Sequence, residues 1–125
     1  AEAKKASLRP ITDAGFINAF RNLITVYEAA RLRGECVEKF GGYAEVDGKK
    51  CIVLERHIPL ERNGYPAKLT KIYIELDTLL PLRIVGWDWT QDEKPNCDYI
   101  YTNIKLNVPL TAKNFTPRAC GIDKD

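Results

Sequence analysis

The chain of 125 residues carries 19 basic against 17 acidic side chains, a formal net charge of +2, and is long enough for one domain that buries roughly two thirds of its unfolded surface. The charges are interspersed, with only short basic pairs such as Lys4-Lys5 and Lys49-Lys50, so the basic stripe of a nucleic-acid-binding surface is missing. No run approaches the roughly 20 apolar residues of a membrane span, no secretory leader is legible, and a start at Ala1 with no methionine fits a processed or excised polypeptide.

Residues 1–11 read as a polar, basic, flexible lead-in that ends near Pro10, ahead of a single domain over 12–117 and a tail over 118–125. The next stretch predicts one helix over about 13–32, with Thr12 or Asp13 as its N-cap and Gly34 after its last turn. Phe16, Phe20, Leu23 and Tyr27 recur at helical spacing, flanked by Ile17, Ala19, Ile24 and Ala30, while Asn18, Arg21, Asn22, Thr25 and Glu28 occupy the other side. So wide an apolar stripe faces a core, most simply a sheet.

After Gly34 the period changes from helical to alternating. Strands are expected at about 36–46, 50–58, 69–76, 82–90 and 97–106, separated by Asp47-Gly48, the Pro59–Pro66 loop with Asn63-Gly64, Asp77–Pro81 and Gln91–Pro95. Short connections imply an antiparallel meander, and strands this long must twist, so the sheet should be strongly curved. Gly41-Gly42 and Gly86 are places for a bulge or bend. The fold class is therefore α+β, mainly antiparallel β: a curved five-stranded meander with one N-terminal amphipathic helix.

Both faces of the meander carry apolar bulk. Ile72, Ile74 and Leu76 share one face against Tyr73, and Tyr99 and Tyr101 oppose Ile100 and Ile104. A solvated face does not ordinarily hold so many aromatics, so something is expected to cover part of the second face. The two tryptophans, Trp87 and Trp89, sit two apart in the fourth strand and should project to one side with Val85. That aromatic surface reads as core or interface filling, as the wall of a ligand cavity, or as a docking patch.

Catalytic signals are sparse. The sole histidine, His57, lacks the partners that a triad or zinc site needs, and the sole serine, Ser7, lies in the lead-in. Phosphate loops, nucleotide fingerprints and paired-carboxylate motifs are missing. Cys36, Cys51, Cys97 and Cys120 lack C-x-x-C spacing, and their even number is compatible with an oxidising compartment. If Asp47-Gly48 turns a hairpin, Cys51 lies opposite about Ala44 to Val46. Cys36 is then displaced well beyond the roughly 7 Å between Cα atoms that a disulfide tolerates. A Cys36–His57 pair across the hairpin is the one nucleophile–base arrangement the spacing leaves open. The residues point to no enzyme, no metal and no cofactor.

Four segments together resemble the carboxy-terminal half of a LolA-like periplasmic protein of the lipoprotein-carrier superfamily, nearest an uncharacterised bacterial branch. They are "RPITDAGF", "AEVDGKKCIVLERHIP", "KIYIELDTLLPLRIVGWDW" and "YIYTNIKLNVPLTAKNFTP". The most specific part is the closing pattern of Asn103, Leu106, Asn107, Leu110, Thr111, Asn114 and Phe115; the acidic turn with Leu-Pro, Asp77–Leu82, is the next. The resemblance implies part of an incomplete β-barrel, with helices plugging its concave side and an acyl chain between them. It also implies a periplasmic or otherwise extracytoplasmic bacterial location, with membrane-surface association as a further consequence. A full carrier has about twice as many strands, so a second chain or a missing N-terminal half would complete the sheet. A cystatin-like fold, one helix on a curved sheet, accounts for the same order of elements without a partner.

The function expected on these grounds is non-enzymatic binding of a lipid, a lipoprotein acyl chain or another apolar ligand beneath the helix. Its contacts would be Phe16, Phe20, Leu23, Tyr27, Val85, Trp87 and Trp89. The alternative is a structural or interaction subunit whose open sheet edge and aromatic face pack on another chain.

Overall fold

The computed structural model describes residues 16–90 and 93–119. Thr12 and Asp13, the 1–11 lead-in, Cys120 and the rest of the tail beyond it lie outside the described residues, as do the side chains of Phe16 and Ala19. Helix α1 spans Phe16–Leu32, and the strands are β1 Val37–Val46, β2 Lys49–His57, β3 Leu69–Glu75, β4 Pro81–Trp87 and β5 Cys97–Ile100; a 3-10 turn, Ala112–Phe115, follows. The strands form one antiparallel sheet in the order β1-β2-β3-β4-β5, the meander the short connections imply.

Helix α1 stops where its glycine demands it. The Glu35 N–H donates to Ala30 O and the Gly34 N–H to Arg31 O, both at 2.9 Å, with Gly34 at φ 69°. These are the two reverse bonds of a Schellman cap, which a left-handed glycine permits without steric cost. Asp47 and Gly48 both take positive φ, 51° and 72°, as a two-residue type I′ hairpin needs.

That hairpin sets the register that places everything else. Cys51 pairs with Ala44, and Val37 pairs with His57 at the far end of β2, so Cys36, one residue before Val37, lies about 20 Å along the ladder from Cys51 at 3.3 Å per residue. A bulge between Phe40 and Tyr43 lets Phe40 oppose Leu54 and Tyr43 oppose Ile52. Both rings therefore stand on one face, edge to face at 5.4 Å.

Thr70, Ile72 and Ile74 point to the helix side, in line with Leu54 and Arg56 on β2 and with Ile84 and Gly86 on β4. The helix seats there through Leu23, Tyr27 and Ala30, which with Ile58 form a buried cluster. The Tyr27 hydroxyl donates to Thr70 Oγ1 at 2.8 Å inside it, so a phenol is buried with its polar end satisfied. The Pro59–Pro66 loop is tied to the end of the helix by Glu35: Arg62 Nε donates to it at 2.8 Å, and the Tyr65 hydroxyl at 2.5 Å.

Part of the second face is covered by the chain itself. Strand β5 ends at Ile100, not at the expected 106. The Tyr101 N–H still donates to Leu82 O at 2.8 Å, and then Asn103 turns the backbone at φ 53°, a left-handed conformation that asparagine tolerates better than other side chains. Ile104 is thereby laid on the buried cluster of Val46, Cys51 and Leu82, beside Tyr73.

Replacing Tyr27 by Phe should lower stability by about 1–3 kcal/mol, because the Thr70 oxygen loses its buried donor while the ring still packs. Urea unfolding should show a lower midpoint at unchanged slope.

Candidate functional site

The helix does not close down on the sheet along its whole length. Between its first half and the strands lies a groove of about 250 Å³. Phe20, Leu23 and Ile24 form its helical wall; Leu54, Arg56, Ile72 and Ile74 form its floor on β2 and β3; Leu79 and Pro81 close the end at the β3–β4 turn. Pockets for drug-sized ligands run from roughly 300 to 1,000 Å³ and are lined mainly by apolar side chains with a few polar groups. This groove has that chemistry and falls just below the size range.

The turn that closes the groove is held by a buried carboxylate. Glu75, 6 % exposed, accepts from the Thr78 hydroxyl and, at 3.1 Å, pairs with Lys49 Nζ. The Thr78 hydroxyl first and Lys49 after it hold its carboxyl below the usual carboxylate range, against an opposing effect of burial. Within this turn Leu79 adopts φ 58°, a left-handed conformation that costs a bulky L-residue about 1–2 kcal/mol. The side chain it carries is 71 % exposed yet lines the groove. Strain of this kind concentrates at ligand clamps.

The seven residues singled out from the sequence fall into three places. Phe20, Leu23 and Tyr27 are on the helix side, where Phe20 and Leu23 line the groove and Tyr27 lies beside it beneath Arg56. Phe16 begins α1, and its side chain lies outside the described residues. Val85 and Trp87 are on the opposite face, because β4 places their neighbours Ile84 and Gly86 toward the helix. Trp87 stands there with Lys71 Nζ 5.9 Å from its ring.

The expectation of one tryptophan surface is corrected. Strand β4 ends at Trp87, not at 90. The Asp88 carboxylate accepts from the Thr90 N–H at 2.9 Å and the Thr90 hydroxyl at 2.8 Å. This local side-chain turn competes with the extended backbone and breaks the period of two. Trp89 thus swings to the helix side, packs against the Leu23, Tyr27, Ala30 and Ile58 cluster, and donates its indole N–H to Ile58 O at 3.0 Å. It is half-buried against the helix-side core, and Trp87 belongs to a different surface.

Cys36 and His57 do not meet as a pair. Cys36 packs against the helix-side cluster, whereas the His57 ring lies on the other face with its Nε2 at 3.1 Å from Glu55 Oε2. Glu55 also binds Lys71 Nζ at 2.7 Å, and Lys71 first, then His57, hold its carboxyl below the usual range. Burial pushes the Cys36 thiol up, away from a nucleophilic thiolate. Among the described residues, no group of three or more His, Cys, Asp or Glu side chains could hold a metal ion, and no helix is long and apolar enough to cross a membrane.

Sequence reading missed the floor and the end of the groove. The alternation of Ile72 and Ile74 marks one face of β3, and the alternation of Leu54 and Arg56 marks one face of β2, but the register that sets them side by side runs across the long Pro59–Pro66 loop. Leu79 carries no such signal, since its place depends on a backbone conformation that its residue type disfavours.

The family model described as "Protein of unknown function (DUF1571)" matches residues 1–120, and the chain belongs to that family. Neither a curated protein nor a solved structure matches it.

Leu79→Gly should leave stability unchanged or raise it by up to about 1 kcal/mol, because it removes left-handed strain from a side chain that is mostly exposed. Thermal or urea unfolding checks this; a lower midpoint would mean that Leu79 is held by contacts worth more than its strain.

Proposed function

We propose that this protein is a non-enzymatic binder of a lipid, a lipoprotein acyl chain or another apolar ligand, held in the groove between α1 and the sheet, in an extracytoplasmic compartment such as a bacterial periplasm. The observation that carries the reading is the groove itself: an apolar channel open beneath an amphipathic helix whose buried seat, among the described residues, is Leu23, Tyr27 and Ala30. The resemblance of the turn Asp77–Leu82 and of the closing Asn103–Phe115 pattern to LolA-like carriers supports the same ligand class. Val85 and Trp87, on the other face, drop out of the contact set, and Ile24, Leu54, Ile72, Ile74 and Leu79 enter it.

Magnitudes bound what the groove can hold. At roughly 30 Å³ per water-sized group it takes about eight methylenes, and at about 0.8 kcal/mol each they contribute roughly 6 kcal/mol before the costs of association. That corresponds to affinities no tighter than tens of micromolar for a chain seated in this groove alone.

A second reading is favoured by strand β1. It is an edge strand whose Phe40 and Tyr43 are 62 % and 75 % exposed, and an unpaired edge is a template for strand addition. The Gly41-Gly42 bulge and the flanking Glu38, Lys39 and Glu45 are devices that blunt such an edge, which ranks this reading second.

Ile24, on the groove wall and 55 % exposed, is the cleanest handle. Ile24→Glu should change stability by no more than about 0.5 kcal/mol and abolish binding of a fluorescent fatty acid and of any lipid seen by native mass spectrometry. Wild-type protein that carries no lipid and binds no fatty acid would refute the first reading. Size-exclusion chromatography with light scattering should show a monomer; an obligate oligomer without apolar ligand would favour the second.

A further inference from the structure

We infer that the ligand is a single-chain fatty carboxylate whose acid group seats on Arg56, an inference that rests on the groove reading above and specifies its substrate class. Among the described residues that line the groove, Arg56 is the one that carries a charge. It stands two residues from Leu54 on β2 and so shares its face, which puts a guanidinium at the end of an otherwise apolar channel.

The guanidinium is held in place before any ligand arrives. Its central carbon lies 4.4 Å from the centroid of the Tyr27 ring, within range for a cation–π contact. Its Nε donates to Glu38 Oε1 at 3.0 Å. Tyr27 is in turn pinned to Thr70, so the stack extends from the sheet through the ring to the cation. Nε is one of five N–H donors. The other four, on the two terminal nitrogens, form the planar fork that binds carboxylates bidentately.

Hydrogen bonding favours an acid at this end: Glu38 engages Arg56 through Nε, and the terminal N–H groups of the guanidinium are the donors that a ligand carboxylate would take. Volume favours one chain, since about 250 Å³ falls short of the usual range for drug-sized ligands. An acyl chain along Ile72 and Ile74 toward Phe20 and Leu79, with its acid at Arg56, satisfies both.

The test compares decanoate with decan-1-ol by isothermal titration calorimetry at neutral pH and low salt. The alcohol is the more apolar of the two, so burial alone would favour it. Wild-type protein should bind decanoate at least about tenfold more tightly, the effect of a hydrogen bond to a charged group. Arg56→Gln should bring the two ligands within about twofold of each other with decan-1-ol unchanged. Glu38→Gln, which removes the carboxylate that competes for the charge of Arg56, should tighten decanoate and leave decan-1-ol as it was; this variant decides the matter even if Arg56→Gln, having lost its stack on Tyr27, fails to fold. Equal binding of acid and alcohol by the wild type, or a preference for the acid that survives Arg56→Gln, would overturn the acid site while leaving the groove reading intact. Binding of neither ligand would end the groove reading itself.

Discussion

The structure turns on a mismatch of coverage: one helix must shield one face of a five-stranded sheet. A helix of 17 residues is about 25 Å long at 1.5 Å per residue, and it meets the sheet through Leu23 at its middle and Tyr27 and Ala30 in its second half. The hydrogen bond from Tyr27 to Thr70 fixes that seat and is buried, where an unpaired phenol would be costly. What the seat cannot reach is the floor under the first half, and there the groove remains.

Polar side chains decide the shape of this apolar space. Glu75, through Thr78 and Lys49, holds the β3–β4 turn that presents Leu79. Glu35, through Arg62 and Tyr65, ties the β2–β3 loop to the far end of the helix. Arg56 bridges Tyr27 and Glu38 at the groove margin. Each of these polar contacts selects the geometry of a loop or side chain that apolar packing, which is non-directional, leaves undetermined.

The two faces of the sheet are completed by different means. The helix takes one and leaves a cavity; the segment after β5 takes part of the other, with Ile104 lying on Cys51 and Leu82. Exposed apolar residues persist on the helix side of that division, among them Ile24, Phe40, Tyr43 and Leu79. Scattered singly they would be ordinary. Ile24 and Leu79 border the same groove, and that continuity makes a ligand the more economical reading of their exposure.

Local chemistry was enough to establish the elements and their order. Helical spacing from Phe20 to Tyr27 gave the buried stripe, Gly34 the helix stop, and Asp47-Gly48 the first hairpin with its register, because each depends on backbone preferences that act over a few residues. Tertiary structure alone decided which aromatic goes where. The Asp88–Thr90 turn ends β4 early and sends Trp89 to the helix side, since a single departure from extended backbone reverses the side to which later residues point, while Asn103 folds the chain after β5 so that Ile104 lies on the Cys51 and Leu82 cluster. The groove was hidden for the same reason. Its walls come from α1, β2, β3 and a left-handed leucine, and only the closed register of the sheet brings Arg56 to the end of an apolar channel.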